Sequence, residues 1–159
     1  MLSPHTDPCS LADLSALELA VWMEARGWKA SHALRVLRRL YAGAADAVGS
    51  HVRMPAGLME QMRTTFCVEV ASLARRQVSD DGTAKLLLRL GDGRTVESVL
   101  MPDFHPDRAA GCISSQVGCA MGCDFCATTQ TGFERNLSPG EIEEQFIRLR
   151  REARAVGRT

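Results

Sequence analysis

Three cysteines, Cys119, Cys123 and Cys126, stand in the run Gly118-Cys119-Ala120-Met121-Gly122-Cys123-Asp124-Phe125-Cys126. The spacing is C-x-x-x-C-x-x-C, with an aromatic residue before the last cysteine. Thiolates this close can converge on one inorganic centre. Three of them on a four-iron cubane leave one iron open to a further ligand. An open metal position belongs to reactive sites, whereas a closed four-cysteine site is usually structural. Gly118 and Gly122 carry no Cβ, so the loop backbone can wrap closely round such a core. The same thiolates with Cys112 as a fourth ligand could instead hold zinc. Zinc sites more often show paired C-x-x-C units, and no second pair exists here. A disulfide framework fits least. Four of the six cysteines crowd into residues 112–126, and nothing resembles a secretion signal. Cys9 and Cys67 have no partner at ligand spacing and read as structural.

The flanking residues are more specific than the spacing. Residues 112–137 read CISSQVGCAMGCDFCATTQTGFERNL. This segment closely resembles the cluster-binding segment of the RlmN/Cfr family of radical S-adenosylmethionine (SAM) RNA methyltransferases. Asp81-Gly82-Thr83-Ala84-Lys85 and Val96-Glu97-Ser98-Val99-Leu100-Met101-Pro102 are similar to that family too. So, more diffusely, is Leu19-Ala20-Val21-Trp22-Met23 ahead of Gly27. The resemblance runs from about residue 14 to about residue 150. One position departs from it. The family usually has glycine after Cys-Ala-Thr, and this chain has Thr129, which tolerates positive φ poorly.

The resemblance implies cofactors, partners and roles. A 4Fe-4S cluster would be held by Cys119, Cys123 and Cys126, with SAM chelating the open iron. Phe125 would pack beside the cluster and the SAM adenine; ordinary core packing stays open for it. Cys112 would be a separate reactive thiol that helps to resolve a covalent enzyme–RNA intermediate, the alternative being a buried strand cysteine. Glu97 matches a proton acceptor of the family, the alternative being a solvated strand carboxylate. The implied reaction is methyl transfer to carbon 2 of an adenine in 23S rRNA, and in tRNA as well; related resistance enzymes methylate carbon 8. That carbon is not nucleophilic, so simple displacement from SAM fails. A radical route, through 5′-deoxyadenosyl, overcomes this, with the cofactor supplying the hard chemistry. An electron donor is then a required partner. Family members continue beyond the counterpart of Thr159. From this the expectation is an incomplete barrel, without most SAM-binding residues or the methyl-carrying cysteine, and inactive without a complementing C-terminal fragment. A truncated, non-catalytic iron–sulfur or RNA-binding fragment and a zinc-binding module are the competing readings.

Composition bounds what can position these residues. The chain has 159 residues, 45% of them apolar, and a formal net charge of zero. No apolar run is long enough to span a membrane, and a cytoplasmic location is the default. Residues 20–76 nevertheless hold nine Lys/Arg against four acids, a local excess of +5. A solvated helix surface explains that on charge alone; with the resemblance, RNA phosphates become the better match.

The expected fold class is α/β: a small N-terminal helical domain, a short antiparallel sheet, then the first βα unit of an incomplete radical SAM partial (βα) barrel. Residues 1–10 read as a flexible tail. Residues 11–66 read as a helical accessory domain of RNA-binding type. Ser15 and Glu18 have capping-box spacing, with Leu17, Ala20, Val21 and Glu24 following and Gly27 as the stop. Ser31 caps a second helix, with Leu34, Leu37, Leu40 and Tyr41 inward and His32 at the surface. Pro55 opens a third, carrying Leu58, Met59, Met62 and Phe66. Residues 67–101 read as about three antiparallel strands, with Val68, Val70 and Ser72 alternating in the first. Residues 102–159 begin the radical SAM core, with 111–117 as the first barrel strand delivering the cysteine loop. Ser138-Pro139-Gly140-Glu141 then starts a helix with Ile142, Phe146, Leu149 and Ala153 inward.

Overall fold

The computed structural model describes residues 10–46, 54–67, 69–103 and 105–158, with the backbone alone at 42–46 and 131. The expectations for residues 1–9, Cys9 among them, and for Val68 and Arg53 lie outside the described residues. The chain divides between residues 68 and 69 into two compact units. None of the described helices is long and apolar enough to cross a membrane.

In the first unit, helix α1 spans Ala16–Glu24 behind the expected capping box. Ser15 Oγ accepts the Glu18 N–H, and the Glu18 carboxylate accepts the Ser15 N–H at 2.8 Å. Helix α2 spans His32–Asp46, and helix α3 spans Ala56–Thr65, entered at Pro55. Their shared core is Leu11, Leu19, Met23, Ala33, Val36, Leu37, Leu58, Met62 and Phe66. Two buried faces differ from the sequence expectation. On α1 the core face is Leu19 and Met23, four residues apart, while Leu17 is 74% exposed. On α2 it is Ala33, Val36 and Leu37, while Leu34 is 56% exposed. Each helix offered two apolar stripes, and packing into this shared core covers one of them. His32 is half-buried, not at the surface. Ser10 is buried and forms a parallel bridge to Cys67.

The second unit is built on a four-stranded antiparallel sheet in the order β1-β2-β3-β4: Ala71–Val78, Ala84–Leu90, Thr95–Pro102 and Ala109–Cys112. The first strand starts at Ala71, so Val70 lies before it and Ser72 is exposed. Two aspartates close the hairpins by accepting N–H groups two residues on: Asp81 from Thr83 and Asp92 from Arg94, the side-chain turn that favours this residue type. Ala84, Leu86, Leu88 and Leu90 alternate along β2 on the buried face, and Val96, Ser98 and Leu100 along β3. Helix α4, Pro139–Ala155, supplies Leu149 and Ala153 to the same core.

Residues 111–117 do not form one strand. Cys112 ends β4, which pairs with β3; Gln116–Gly118 forms β5, which pairs antiparallel with β6, Phe133–Asn136. The break has a cause. Gln145, fully buried on α4, accepts the Ser114 N–H at 2.8 Å and donates to the Ser114 carbonyl at 2.9 Å. That takes both backbone groups of Ser114 out of any strand ladder. Gln145 Oε1 also accepts from Ser98 Oγ, and its Nε2 reaches the Glu141 carbonyl. Of the expected inward face of α4, Leu149 and Ala153 are in the core and Ile142 packs against it, whereas Phe146 is half exposed and Gln145 lies inside.

Candidate iron–sulfur loop

The three clustered cysteines lie on the loop that joins β5 to β6. Its neck is closed by the Cys119 N–H donating to the Gly132 carbonyl at 3.0 Å. Opposite, Gly118 has φ +70°, and a Cβ there would lie 1.7 Å from Gly132 O. Only glycine fits this approach. Cys123 and Cys126 bracket a turn in which the Cys126 N–H donates to the Cys123 carbonyl at 3.2 Å. A short 3-10 helix, Ala127–Thr131, begins directly after Cys126. The Thr128 N–H, and then the Thr129 N–H, donate to the Cys126 sulfur and hold its thiol below the usual cysteine range. Donors aimed at sulfur favour the thiolate, which is the ligating form.

The loop is carried on a charged frame. Arg135 on β6 donates to both oxygens of Glu141 at 2.8 Å and to Asp92 at 2.7 and 2.9 Å. Arg94 bridges Asp92 and Glu134. Burial alone would push the Glu141 carboxyl up. The Arg135 guanidinium and the Ser138 N–H more than offset this, and the net shift is downward. The β2–β3 turn, the return strand of the loop and the start of α4 are thereby tied together.

Cys119, Cys123 and Cys126 are all free and half-buried. Among the described residues, no three His, Cys, Asp or Glu side chains are gathered for one metal ion. A tetrahedral zinc ion would need thiolate sulfurs about 3.8 Å apart, as follows from the usual Zn–S bond length. A cubane asks for a wider arrangement, because each thiolate reaches a different iron. Three free thiols on one loop, a glycine-lined neck and amide donors at the third sulfur fit that donor set.

The remaining candidates are spread. Phe125 projects from the loop with 89% of its surface exposed, so ordinary core packing does not account for it. Cys112 is exposed at the end of β4 and is not a buried strand cysteine. Glu97 is exposed on β3, with a carboxylate oxygen 3.0 Å from Lys85 Nζ. The register pairs Val99 with Cys112, and Lys85 with Val99. Lys85, Glu97 and Cys112 therefore share the face of the sheet opposite α4. Glu97 and Cys112 are diagonal neighbours, at roughly 7 Å by the usual cross-strand spacing. Thr129, Arg135 and Gln145 hold this region together, and sequence reading assigned none of them a role. The only early signal among them was Thr129, as a departure from a familiar pattern.

Comparison with known proteins gives the loop its context. No family model matches the chain. A protein of Opitutus terrae named as a probable dual-specificity RNA methyltransferase RlmN 1 is 60% identical over 149 residues, 94% of this chain and 42% of that protein. The dual-specificity RNA methyltransferase RlmN of Syntrophus aciditrophicus is 37% identical over 145 residues, 91% of this chain and 41% of its own length. The chain is similar, over nearly all of its length, to RlmN methyltransferases. It matches the N-terminal part of these proteins and spans about two-fifths of the length of the RlmN relatives. In structure it is similar to a radical SAM methyltransferase from Sphaerobacter thermophilus, with a TM-score of 0.78 and 37% identity over 96% of this chain and 44% of that one. The mixed α/β architecture, with its antiparallel sheet and four helices, is the fold of that part of an RlmN-type protein.

Proposed function

We propose that this chain is the cluster-bearing part of an enzyme that methylates carbon 2 of an adenine in RNA, with 23S rRNA and tRNA as substrates. The observation that carries this is the presence of three free cysteines, Cys119, Cys123 and Cys126, on one short loop. That loop has a glycine-only neck and amide donors at Cys126. The chain's likeness to RlmN methyltransferases supports the reaction class.

When bound, a 4Fe-4S cluster with SAM supplies the reductive cleavage that makes an unactivated aromatic carbon reactive. The chain's own residues have simpler tasks. Cys119, Cys123 and Cys126 would hold the cluster. Phe125 would offer its exposed ring to the SAM adenine. Glu97 takes a proton from the substrate at a carboxylate oxygen, and Lys85 beside it holds that carboxylate in place. Cys112, on the same face, would supply a thiol that forms a disulfide with a second cysteine as that cysteine's sulfur–carbon bond to RNA breaks and the released carbon takes a proton. Arg35, Arg38 and Arg39 stand exposed on α2, and Arg26 stacks over Trp22 at 4.3 Å. They supply the cationic surface for RNA phosphates. The cluster also implies a protein electron donor, and the free thiols suit a reducing cytoplasm.

The test is anaerobic reconstitution, with iron and sulfide determination and electron paramagnetic resonance with and without SAM. The expected result is a cubane signal that SAM perturbs. Stoichiometric zinc in its place, or a cluster indifferent to SAM, overturns the proposal.

A further inference from the structure

Thr129 touches all three parts of the cysteine loop. Its hydroxyl accepts the Gly122 N–H at 2.9 Å, one residue before Cys123. The same hydroxyl donates its proton to the Cys119 carbonyl at 3.4 Å. Its N–H donates to the Cys126 carbonyl at 3.2 Å and also reaches the Cys126 sulfur. The described chain has no non-glycine residue at positive φ, so Thr129 does this from an ordinary backbone conformation inside the 3-10 helix. The tie matters because the rest of the loop has little to hold it. Gly122 sits at φ +69° with nothing within 4 Å of the place where a Cβ would be. Met121 and Phe125 are largely exposed, at 79% and 89%. Apart from the neck bond between Cys119 and Gly132, the hydroxyl is the link between the first half of the loop and the 3-10 helix.

We propose that Thr129 is a positioning residue for the cysteine loop: its hydroxyl fixes the segments bearing Cys119 and Cys123 against the helix that follows Cys126. It touches neither substrate nor iron. Its role is to hold the empty loop near its ligating form, so that less conformational freedom is lost when a metal centre binds. Glycine or alanine at this position has no side-chain oxygen, so both hydroxyl bonds would be absent. The consequence for iron retention rests on the proposed cluster site; the consequence for loop order does not.

The test compares Thr129→Val, which keeps the shape and removes the hydroxyl, with Thr129→Ser, which keeps the hydroxyl. In the cluster-free protein, amide hydrogen exchange at Gly122 is expected to be roughly tenfold faster in T129V, the size of effect that one or two lost hydrogen bonds give. T129S is expected to exchange like the parent. In reconstituted protein, iron release to a chelator is expected to accelerate by a similar factor in T129V and to be restored in T129S. Unchanged Gly122 exchange in T129V overturns the proposal, whatever the cluster does. Equal acceleration in both variants also overturns it, because the hydroxyl would then be irrelevant. Failure of the parent protein to take up iron counts against the cluster site alone, and Gly122 exchange still decides the role of Thr129.

Discussion

Substituting Gly118 by alanine should open the neck of the cysteine loop, and the structure sets the scale of the effect. The new Cβ would lie 1.7 Å from Gly132 O, 2.9 Å from Gly132 C and 3.4 Å from Phe133 Cα. A tolerable carbon–oxygen contact is about 3.3 Å, so the two strands must separate by roughly 1.5 Å. The oxygen in the way is also the acceptor of the Cys119 N–H, and that bond is lost, at about 1 kcal/mol. The left-handed backbone at φ +70° adds about 1–2 kcal/mol for a residue with a Cβ. The total is about 2–3 kcal/mol before any loss of strand pairing. Gly118 and Phe133 form the rung of the β5–β6 ladder next to the loop, so the strands will part there first. Gly122→Ala is the control. Its φ is +69°, but nothing stands within 4 Å of the new Cβ, so it carries the dihedral cost without the clash. Urea unfolding and iron content after anaerobic reconstitution are the measurements. G118A should show the larger fall in midpoint and lose most of its iron, and G122A should lose about 1–2 kcal/mol by the same dihedral argument. Equal behaviour of the two variants, or full iron content in G118A, would refute the close-approach argument.

Three further outcomes follow from the packing and charges. Gln145→Leu removes the side chain that serves Ser114 N, Ser114 O and Ser98 Oγ. The orphaned groups should cost about 2–4 kcal/mol in urea unfolding, and a neutral result would mean that this network is dispensable. Leu19→Ala should cost about 2–5 kcal/mol because Leu19 is fully buried, whereas Leu17→Ala should stay within about 0.5 kcal/mol; equal losses would contradict the orientation of α1. For Asp92, burial pushes the carboxyl up, but the Arg94 N–H and Arg135 more than offset it, and the net shift is downward, as for Glu141. Both groups therefore bind protons less readily folded than unfolded. Their contribution is complete above the unfolded values near pH 4 and is lost as pH falls through the lower folded values. Urea midpoints at pH 6 and pH 3 should show a steeper acid loss in the parent protein than in Arg135→Met, and identical acid slopes would contradict the role of this cluster.

Local signals survived folding where one residue's neighbours in sequence were also its partners. The capping boxes at Ser15–Glu18 and Ser138–Glu141 and the turns at Asp81 and Asp92 act over four residues or fewer, so the chain displays them directly. Signals that depend on a distant partner did not survive. Leu17 and Leu34 were as apolar as Leu19 and Val36, and only the packing of the helices into one core decides which stripe is covered. Residues 111–117 looked like one strand, because nothing local marks Ser114 as the place where a side chain 31 residues away occupies the backbone. Phe146 was expected inward and is half exposed, whereas Gln145 is buried with four hydrogen bonds.

The candidate site divides along the same line. The spacing of Cys119, Cys123 and Cys126, with the residues around them, was enough to point to the RlmN proteins, because motif and spacing are properties of the chain alone. Tertiary structure decided the rest. Strand register put Glu97, Lys85 and Cys112 on one face of the sheet. The close passage of Gly132 made glycine obligatory at 118. The turn after Cys126 brought the Thr129 hydroxyl to Cys119 and Gly122. Each is a contact between residues whose separation along the chain carries no information about their distance in space. The free energy of such a contact depends on distance and direction, which only the folded backbone supplies.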